Sequence, residues 1–393
     1  MTLINREVNQ YYVDYKDQAS LVKNPKPIIL VNEYPHKAQD TGLAYFKYLV
    51  DNHQDSYESY YLISKESKDL GNLEGYFDNV VFYKTKEHVE VFVKADILAS
   101  SHGTNYATPV VDSYSKGLLA EKYKVFLQHG ILGVRNMAHL YRKDPENPFT
   151  NLFITSSNRE KELVMRDFDY ADEDVIVSGL SRFDVLFSRE NQLESRGNKK
   201  ILIMPSWREK LDTKPKEVFI KSNFYERFDK LLNSKEFEEL AKEKNWEVSL
   251  YLHTNFQKFS SCFNSKFVTV VAEGDKTVQE LLIESDLLIT DYSSVGLDFA
   301  LREKPIIYYQ FDTKINNTTE QLTTDFFPGE IKISLAGVLD ELRYFASHPE
   351  MRSQHVAKLD NLYLHRDCNA NNRIFAAMTA GLEKRNREIA KGN

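Results

Sequence analysis

Short apolar runs alternate with stretches of helical spacing along this chain, and the series occurs twice. The first series has apolar runs at residues 27–31, 59–64, 79–83, 95–100, 125–128, 152–155 and 175–177, with helical spacing at 43–50. The second has runs at 200–204, 247–252, 267–271, 287–290 and 305–309, with helical spacing at 224–241 and 277–284. Apolar runs too short for helices, separated by helical segments, predict an α/β fold with a largely parallel sheet. A polar, aperiodic stretch at 188–200 separates the two series and reads as a linker. A chain of 393 residues also exceeds what one ordinary core serves. The expectation is two Rossmann-like domains, 1–187 and 188–393, facing a cleft, the second ending in a mostly helical tail from about 335 to 389.

In such folds ligands sit at the carboxyl ends of the strands, and several polar constellations fall there. The run Leu287-Leu288-Ile289-Thr290 breaks into Asp291-Tyr292-Ser293-Ser294 and resumes as an apolar helical segment containing Asp298. A strand end followed by a helix start presents unpaired N–H groups to an anion, and Ser293 and Ser294 suit phosphate oxygens. Asp291 and Asp298 can fix hydroxyls or orient the loop. The plain alternative is a helix cap, since Ser and Asp are favoured there. A second run ends in Gln128-His129-Gly130, where His129 can act as a general base or simply cap the next helix. The run before it also ends in His-Gly, at His102-Gly103, which reads as a tight turn. Arg208, after Met204-Pro205-Ser206-Trp207, offers a bidentate fork for phosphate, with Trp207 most simply a core residue. His253 ends the next run. Arg182 in Gly179-Leu180-Ser181-Arg182-Phe183-Asp184 can pair with Asp184 or face phosphate.

Other classes are disfavoured. A net charge of -7 argues against nucleic acid as the main partner. Two distant cysteines, Cys262 and Cys368, supply neither a disulfide framework nor a zinc motif and fit a reducing cytoplasm. No signal peptide and no long apolar run is present. There is no Walker loop, no Gly-x-Gly-x-x-Gly, no His-Glu-x-x-His and no nucleophile elbow. The Asp-x-Asp pairs Asp167/Asp169 and Asp172/Asp174 precede an apolar run, away from the expected cleft, so no metal site is expected. The 23 Tyr and 24 Phe fit core packing better than stacking surfaces. Lys116, Lys122, Lys124, Arg135, Arg142 and Lys143 cluster in one segment and read either as an anion-binding face or as solvated charge.

Together these segments resemble the CDP-glycerol glycerophosphotransferase family of teichoic acid primases and polymerases and their capsule-polymer relatives. The resemblance covers roughly residues 98–373. It rests on His129-Gly130, on Gly179/Arg182/Asp184, on Pro205/Arg208, on His253, and above all on the block from Glu280 to Ser294. That block continues through Asp298 to Lys304-Pro305-Ile306-Ile307-Tyr308-Tyr309 and Asp312. Two departures concern substrate contacts: Leu127-Gln128 stands where the family often has Thr-Trp, and residues 367–373 keep Asp367 and Arg373 but lose a Gly and a Ser.

The resemblance implies a GT-B-like enzyme that moves a polyol phosphate from CDP-glycerol or CDP-ribitol to an acceptor hydroxyl, with loss of CMP and no cofactor. His129 is then the base. Arg208, His253, Ser293 and Ser294 stabilise phosphate charge. Asp291, Asp298, Arg182 and Glu280 join the donor side, and Gly130 and Arg135 the acceptor side. The acceptor would be a lipid-linked or polymeric glycan, and the enzyme cytoplasmic and peripheral on the inner face of the membrane. Contact there would run through the 116–143 segment or the basic tail residues Arg373, Lys384, Arg385 and Arg387. The rivals are a GT-B glycosyltransferase using a nucleotide sugar, and a non-catalytic polymer-binding module of the same fold.

Overall fold

A computed structural model describes residues 3–19, 24–110, 113–133, 137–144, 148–188, 198–312 and 326–392. The chain divides into two compact units. The first comprises Met1–His129, Met137–Val185 and Tyr363–Asn393, the second Gly130–Asn136 and Leu186–Leu362. The division falls beside the expected boundary, but the last part of the tail differs from expectation. Tyr363–Asn393 belongs with the first unit, not the second. Most of the 188–200 linker lies outside the described residues, as does Arg135.

The first unit holds seven parallel strands: β1 Ile28–Asn32, β2 Glu58–Ile63, β3 Val80–Phe82, β4 Ile97–Ser100, β5 Tyr123–Phe126, β6 Leu152–Thr155 and β7 Val175–Val177. Their order is β3-β2-β1-β4-β5-β6-β7. Strands β4, β5 and β6 are buried at every position, as expected of a sheet covered on both faces. The chain winds outward from β1 in one direction and returns at β4 to wind in the other. The carboxyl ends of β1 and β4 therefore flank a topological switch point, where ligands bind in such sheets. Asn32 lies opposite Ser100, which brings the residues that follow, Glu33 and Ser101, to that point.

The second unit repeats the plan with six parallel strands: β8 Lys200–Ile203, β9 Glu247–Tyr251, β10 Val268–Val271, β11 Leu287–Thr290, β12 Ile306–Tyr309 and β13 Glu330–Lys332. The order is β10-β9-β8-β11-β12-β13, and the switch point lies between β8 and β11. Pairing of Ile203 with Ile289 sets the Pro205–Arg208 and Asp291–Ser294 turns side by side. Much of the aromatic content is spent in this core, where Phe219 stacks on Phe259 at 4.0 Å and meets Phe224, Phe256 and Phe263. Strand β13 was invisible in sequence because Glu-Ile-Lys is short, polar and only partly buried.

Candidate functional site

The first unit presents His129 on a strained turn. Gln128 adopts φ 59°, a left-handed conformation that costs a long side chain about 1 kcal/mol or more. Its carboxamide, fully buried, donates to the Ile154 carbonyl and to Glu160. Those bonds hold the turn and swing His129 out at the end of β5. His129 Nδ1 lies 3.1 Å from the Ser101 carbonyl. A carbonyl only accepts, so Nδ1 carries the proton and Nε2 keeps its lone pair. In this tautomer the imidazole is ready to take a proton.

A second imidazole supports it. His102 stacks on His129 with centroids 4.6 Å apart and planes 9° from parallel. Ser101 Oγ lies 2.8 Å from His102 Nδ1, and the Tyr34 ring covers it at 4.0 Å. Burial, then the neighbouring His129, pushes the His102 pKa down to about 3, so this ring stays neutral and acts as a rigid platform. The protein around His129 lowers its pKa as well, while Asp40 and the Ser101 carbonyl oppose the shift. The ring remains exposed, so water limits that depression.

Asp40 is fixed by two neighbours. Arg182 NH1 reaches its carboxylate at 2.5 Å and Thr41 Oγ1 at 2.7 Å. Burial resists ionisation of Asp40, but Arg182 and then the two imidazoles outweigh it and hold the carboxyl below its usual value. Behind Asp40 stands Glu33, fully buried at the end of β1. Its carboxyl accepts from the backbone of Asp40, Leu43 and Gln39 at 2.9, 2.9 and 3.2 Å and closes the N-terminus of the helix Thr41–His53. Burial, reinforced by Asp40, raises the Glu33 pKa.

Arg182 thus pairs with Asp40, where the sequence reading offered Asp184 as its partner. Its guanidinium is needed to neutralise Asp40 in a crowded site. Asp184 instead accepts from the backbone of Ala370 and Asn371 at 2.8 and 2.9 Å, at the start of the helix Ala370–Gly392. Arg373 grips Asp367 at 2.7 and 3.0 Å and the Ser178 carbonyl at 2.9 Å, so it clamps the start of this helix to the sheet end.

In the second unit a buried acid organises the switch point. Asp291 is 0% exposed. Its Oδ1 accepts from the Ser206 backbone at 2.9 Å, the Ser206 hydroxyl at 2.7 Å and the Tyr292 backbone at 2.6 Å. Its Oδ2 lies 2.9 Å from Arg208 NH2. Arg208 also meets Asp312 in a fork, Nε at 2.8 Å and NH2 at 3.0 Å, and donates to the Ser206 carbonyl at 2.8 Å. The expected phosphate fork is therefore engaged by two carboxylates. A guanidinium in this position braces the loops and adds little free positive charge.

Ser294 starts the helix Val295–Ala300 without capping it, whereas Ser293 Oγ accepts from Val295 N at 3.3 Å. The plain capping reading thus holds for Ser293 and fails for Ser294. Gly130 approaches this serine, and a Cβ on Gly130 would lie 2.9 Å from Ser294 Oγ. Gly130 was placed on the acceptor side from sequence, yet it belongs to the second unit. Asp298 is buried within this helix. Glu280 completes a capping box with Thr277, accepting its backbone N–H at 2.7 Å, so its carboxylate serves the helix Val278–Glu284.

His253 differs from His129 in its proton. Its Nδ1 accepts from the backbone N–H of Asn255 at 3.2 Å, which leaves the neutral ring's proton on Nε2. Trp207 packs against the second core and also stacks with His253 at 5.8 Å.

The sequence missed His102, Asp40 and Glu33. A signal existed for His102, since two neighbouring strands both end in His-Gly. Glu33 was an acid directly after a strand. Asp40 lies in a loop and carried no pattern. The basic segment 116–143 also separates on folding. Lys122 and Lys124 are buried, Arg142 pairs with Asp169 at 2.6 Å, and Lys143 pairs with Asp174 at 2.5 Å. Both Asp-x-Asp pairs are likewise taken up by ion pairs, Asp167 with Arg166 and Asp172 with Lys161 completing the set. Among the described residues no group of three or more His, Cys, Asp or Glu could hold a metal ion, and no helix is long and apolar enough to cross a membrane.

Two parallel α/β units, each wound about a topological switch point, define a GT-B-like fold class. The same fold occurs in the wall teichoic acid polymerase TagF, with a TM-score of 0.67, 18% identity, and 98% of this chain and 95% of that one aligned. It also occurs in a UDP-N-acetylglucosamine 2-epimerase from Listeria monocytogenes, with a TM-score of 0.58, 13% identity, and 92% and 98% aligned. Residues 14–379 match the family described as CDP-Glycerol:Poly(glycerophosphate) glycerophosphotransferase, and the chain belongs to it. The minor teichoic acid biosynthesis protein GgaB of Bacillus subtilis is 27% identical over 94% of this chain. The ribitol-phosphate polymerase TarK of Staphylococcus aureus is 28% identical over 49% of it. The chain spans 41% and 39% of the lengths of those two relatives.

Proposed function

We propose that this chain transfers glycerol phosphate, or a related polyol phosphate such as ribitol phosphate, from its CDP-linked donor to an acceptor hydroxyl in teichoic acid or capsule-type polymer synthesis. Family membership supports the reaction class. One TagF structure is described as carrying CDPG. The observation that carries the mechanism is the pair of opposite histidine tautomers: His129 offers a lone pair on Nε2, and His253 offers a proton there.

The acceptor oxygen attacks the distal phosphorus of the donor pyrophosphate. Its proton passes to His129 Nε2 as the new O–P bond forms. The bridging P–O bond breaks and its electron pair leaves with CMP. The imidazolium formed on His129 is favoured by the Asp40 carboxylate, which already opposes the lowering of its pKa. His253 Nε2–H and the Ser293/Ser294 hydroxyls suit the growing charge on phosphate oxygens. Asp291 and Arg208 hold the loop that presents them.

The acceptor is a lipid-linked or polymeric glycan, approached from the cytoplasmic face. Peripheral membrane contact then falls to the exposed tail residues Lys384 and Arg387. Co-sedimentation with anionic vesicles, abolished by high salt, tests that contact, and a failure to pellet at low salt removes it. The central experiment is a donor panel of CDP-glycerol, CDP-ribitol and UDP-sugars, read as nucleotide release. CMP release from a CDP-polyol supports the proposal. UDP release alone makes the chain a glycosyltransferase, and no release from any donor makes it a binding module.

A further inference from the structure

Among the described residues the two sheets end in four edge strands, β3, β7, β10 and β13. A bare edge presents a row of unpaired N–H and C=O groups to other chains, and natural sheets blunt it with short strands and charge. Strands β3 and β7 have three residues each. Lys65 Nζ lies 5.2 Å above the Phe82 ring of β3, and β7 follows directly on Asp172, Glu173 and Asp174. Strand β13 is Glu-Ile-Lys, with both charges held in ion pairs.

Strand β10 has none of these devices. It reads Val268-Thr269-Val270-Val271, all β-branched, within an uncharged run from Phe267 to Ala272. Among the described residues no strand lies on its outer side. Thr269 and Ala272 are exposed, and Phe267, Val270 and Val271 are half-buried. The sheet face beside this edge is open too. Val268 and Val270 pack into the second core. Thr269 and Val271 alternate to the opposite face, where they line a cavity of about 480 Å³ with Leu202 and Ser249.

The two ends of the run carry opposite charges. Lys266 precedes it and is exposed, and Glu273 follows it. Such a segment complements itself. Antiparallel pairing about a two-fold axis normal to the sheet lays the Lys266 end of each copy against the Glu273 end of the other. Parallel pairing would set like charges together. Opposite residues of an antiparallel ladder share a face of the sheet, so the axis passes at Thr269 or at Val270. Either register sets β-branched side chains against each other across the joint.

We infer that the outer edge of β10 is an association surface for a second copy of this chain, with the two sheets joined antiparallel into one. Strands β9 and β8 stand between β10 and β11, so the joint is remote from the serine turn. Association needs neither donor nor acceptor and is independent of the transferase reading. A joint this short falls at the small end of specific interfaces, below ~1,200 Å² in total, and micromolar association follows.

The test is sedimentation velocity of the full chain from about 1 to about 100 μM, a range that brackets such an affinity. The weight-average mass should rise from 45.7 kDa toward twice that value. Thr269→Lys sets like charges across the joint from a side chain that is already exposed, and it should weaken association about tenfold. Lys266→Glu and Glu273→Lys should each weaken it, and the two together should restore it. Circular dichroism checks that each variant is folded, and the double charge swap guards against a misfolded Thr269→Lys. A mass that stays at 45.7 kDa throughout leaves the edge to a strand from another protein and overturns the inference. Dimerisation indifferent to Thr269→Lys, or a double swap as weak as the single variants, overturns it as well.

Discussion

The two units place a histidine at a strand end by the same route and give it opposite protons. In the first, His129 faces a carbonyl, and a carbonyl forces Nδ1 to be the donor. In the second, His253 faces the N–H of Asn255, and an N–H forces Nδ1 to be the acceptor. The charged partners are inverted as well. In the first unit an arginine holds an acid near the imidazoles, whereas in the second two acids hold an arginine under the serine turn. A strand-end histidine thus carries its proton on Nδ1 in one unit and on Nε2 in the other. The difference lies in which backbone atom the imidazole meets.

The contrast breaks most sharply at the histidines. His129→Ala should lower the rate of CMP release with acceptor present by about 10²–10⁴-fold, the usual worth of a general base, with donor binding kept. His253→Ala should cost about 10²–10³-fold, with His253→Gln partly restoring the donor that His129→Gln cannot replace. Equal rescue by glutamine at both positions would end the proposed division of labour.

Asp291→Ala tests the inverted charges through stability. It strips a buried partner from Arg208 and orphans the Ser206 hydroxyl and two backbone N–H groups. The expected loss is about 3 kcal/mol, read from the denaturant midpoint. A change under 1 kcal/mol would show that Asp312 alone braces the arginine.

Asp40→Asn should act on the pH profile. A base works when deprotonated, so kcat/KM rises with pH through the His129 pKa. That pKa lies below the ordinary histidine value and Asp40 holds it up. Removing the carboxylate should shift the acid limb to lower pH and reduce the plateau about tenfold. An unmoved limb would mean that Asp40 serves only to position the loop. The smallest effect belongs to Gly130→Ala. The added methyl meets a hydroxyl that can rotate, so stability should change by less than about 1 kcal/mol. Donor KM should rise a few fold if Ser294 contacts phosphate. An unchanged KM would remove Ser294 from the donor site.

The parallel sheets were legible because buried parallel strands must be apolar at nearly every position. Leu287–Thr290 and Ile306–Tyr309 could hardly be anything else. Strand ends were legible too, because a buried strand that stops at a polar residue marks the place where backbone reaches solvent. His129, His253 and Asp291 all stood out on that ground. Glu330–Lys332 did not, since an edge strand needs no apolar signature. Nor did the role of His102, because a His-Gly turn looks the same whether its ring is idle or stacked on another.

Sequence by itself determined the two α/β series, the strand ends and the kinds of side chain found there, because periodicity and burial are local demands on residue type. Tertiary structure decided the partners. Arg182 found Asp40, residues of the first unit that lie far apart in the chain. Arg208 found Asp312 and Asp291, while Lys122 and Lys124 left the surface that their charge suggested. Ion pairs and tautomers depend on distances of a few ångström between segments remote in sequence, and only the folded chain sets those distances.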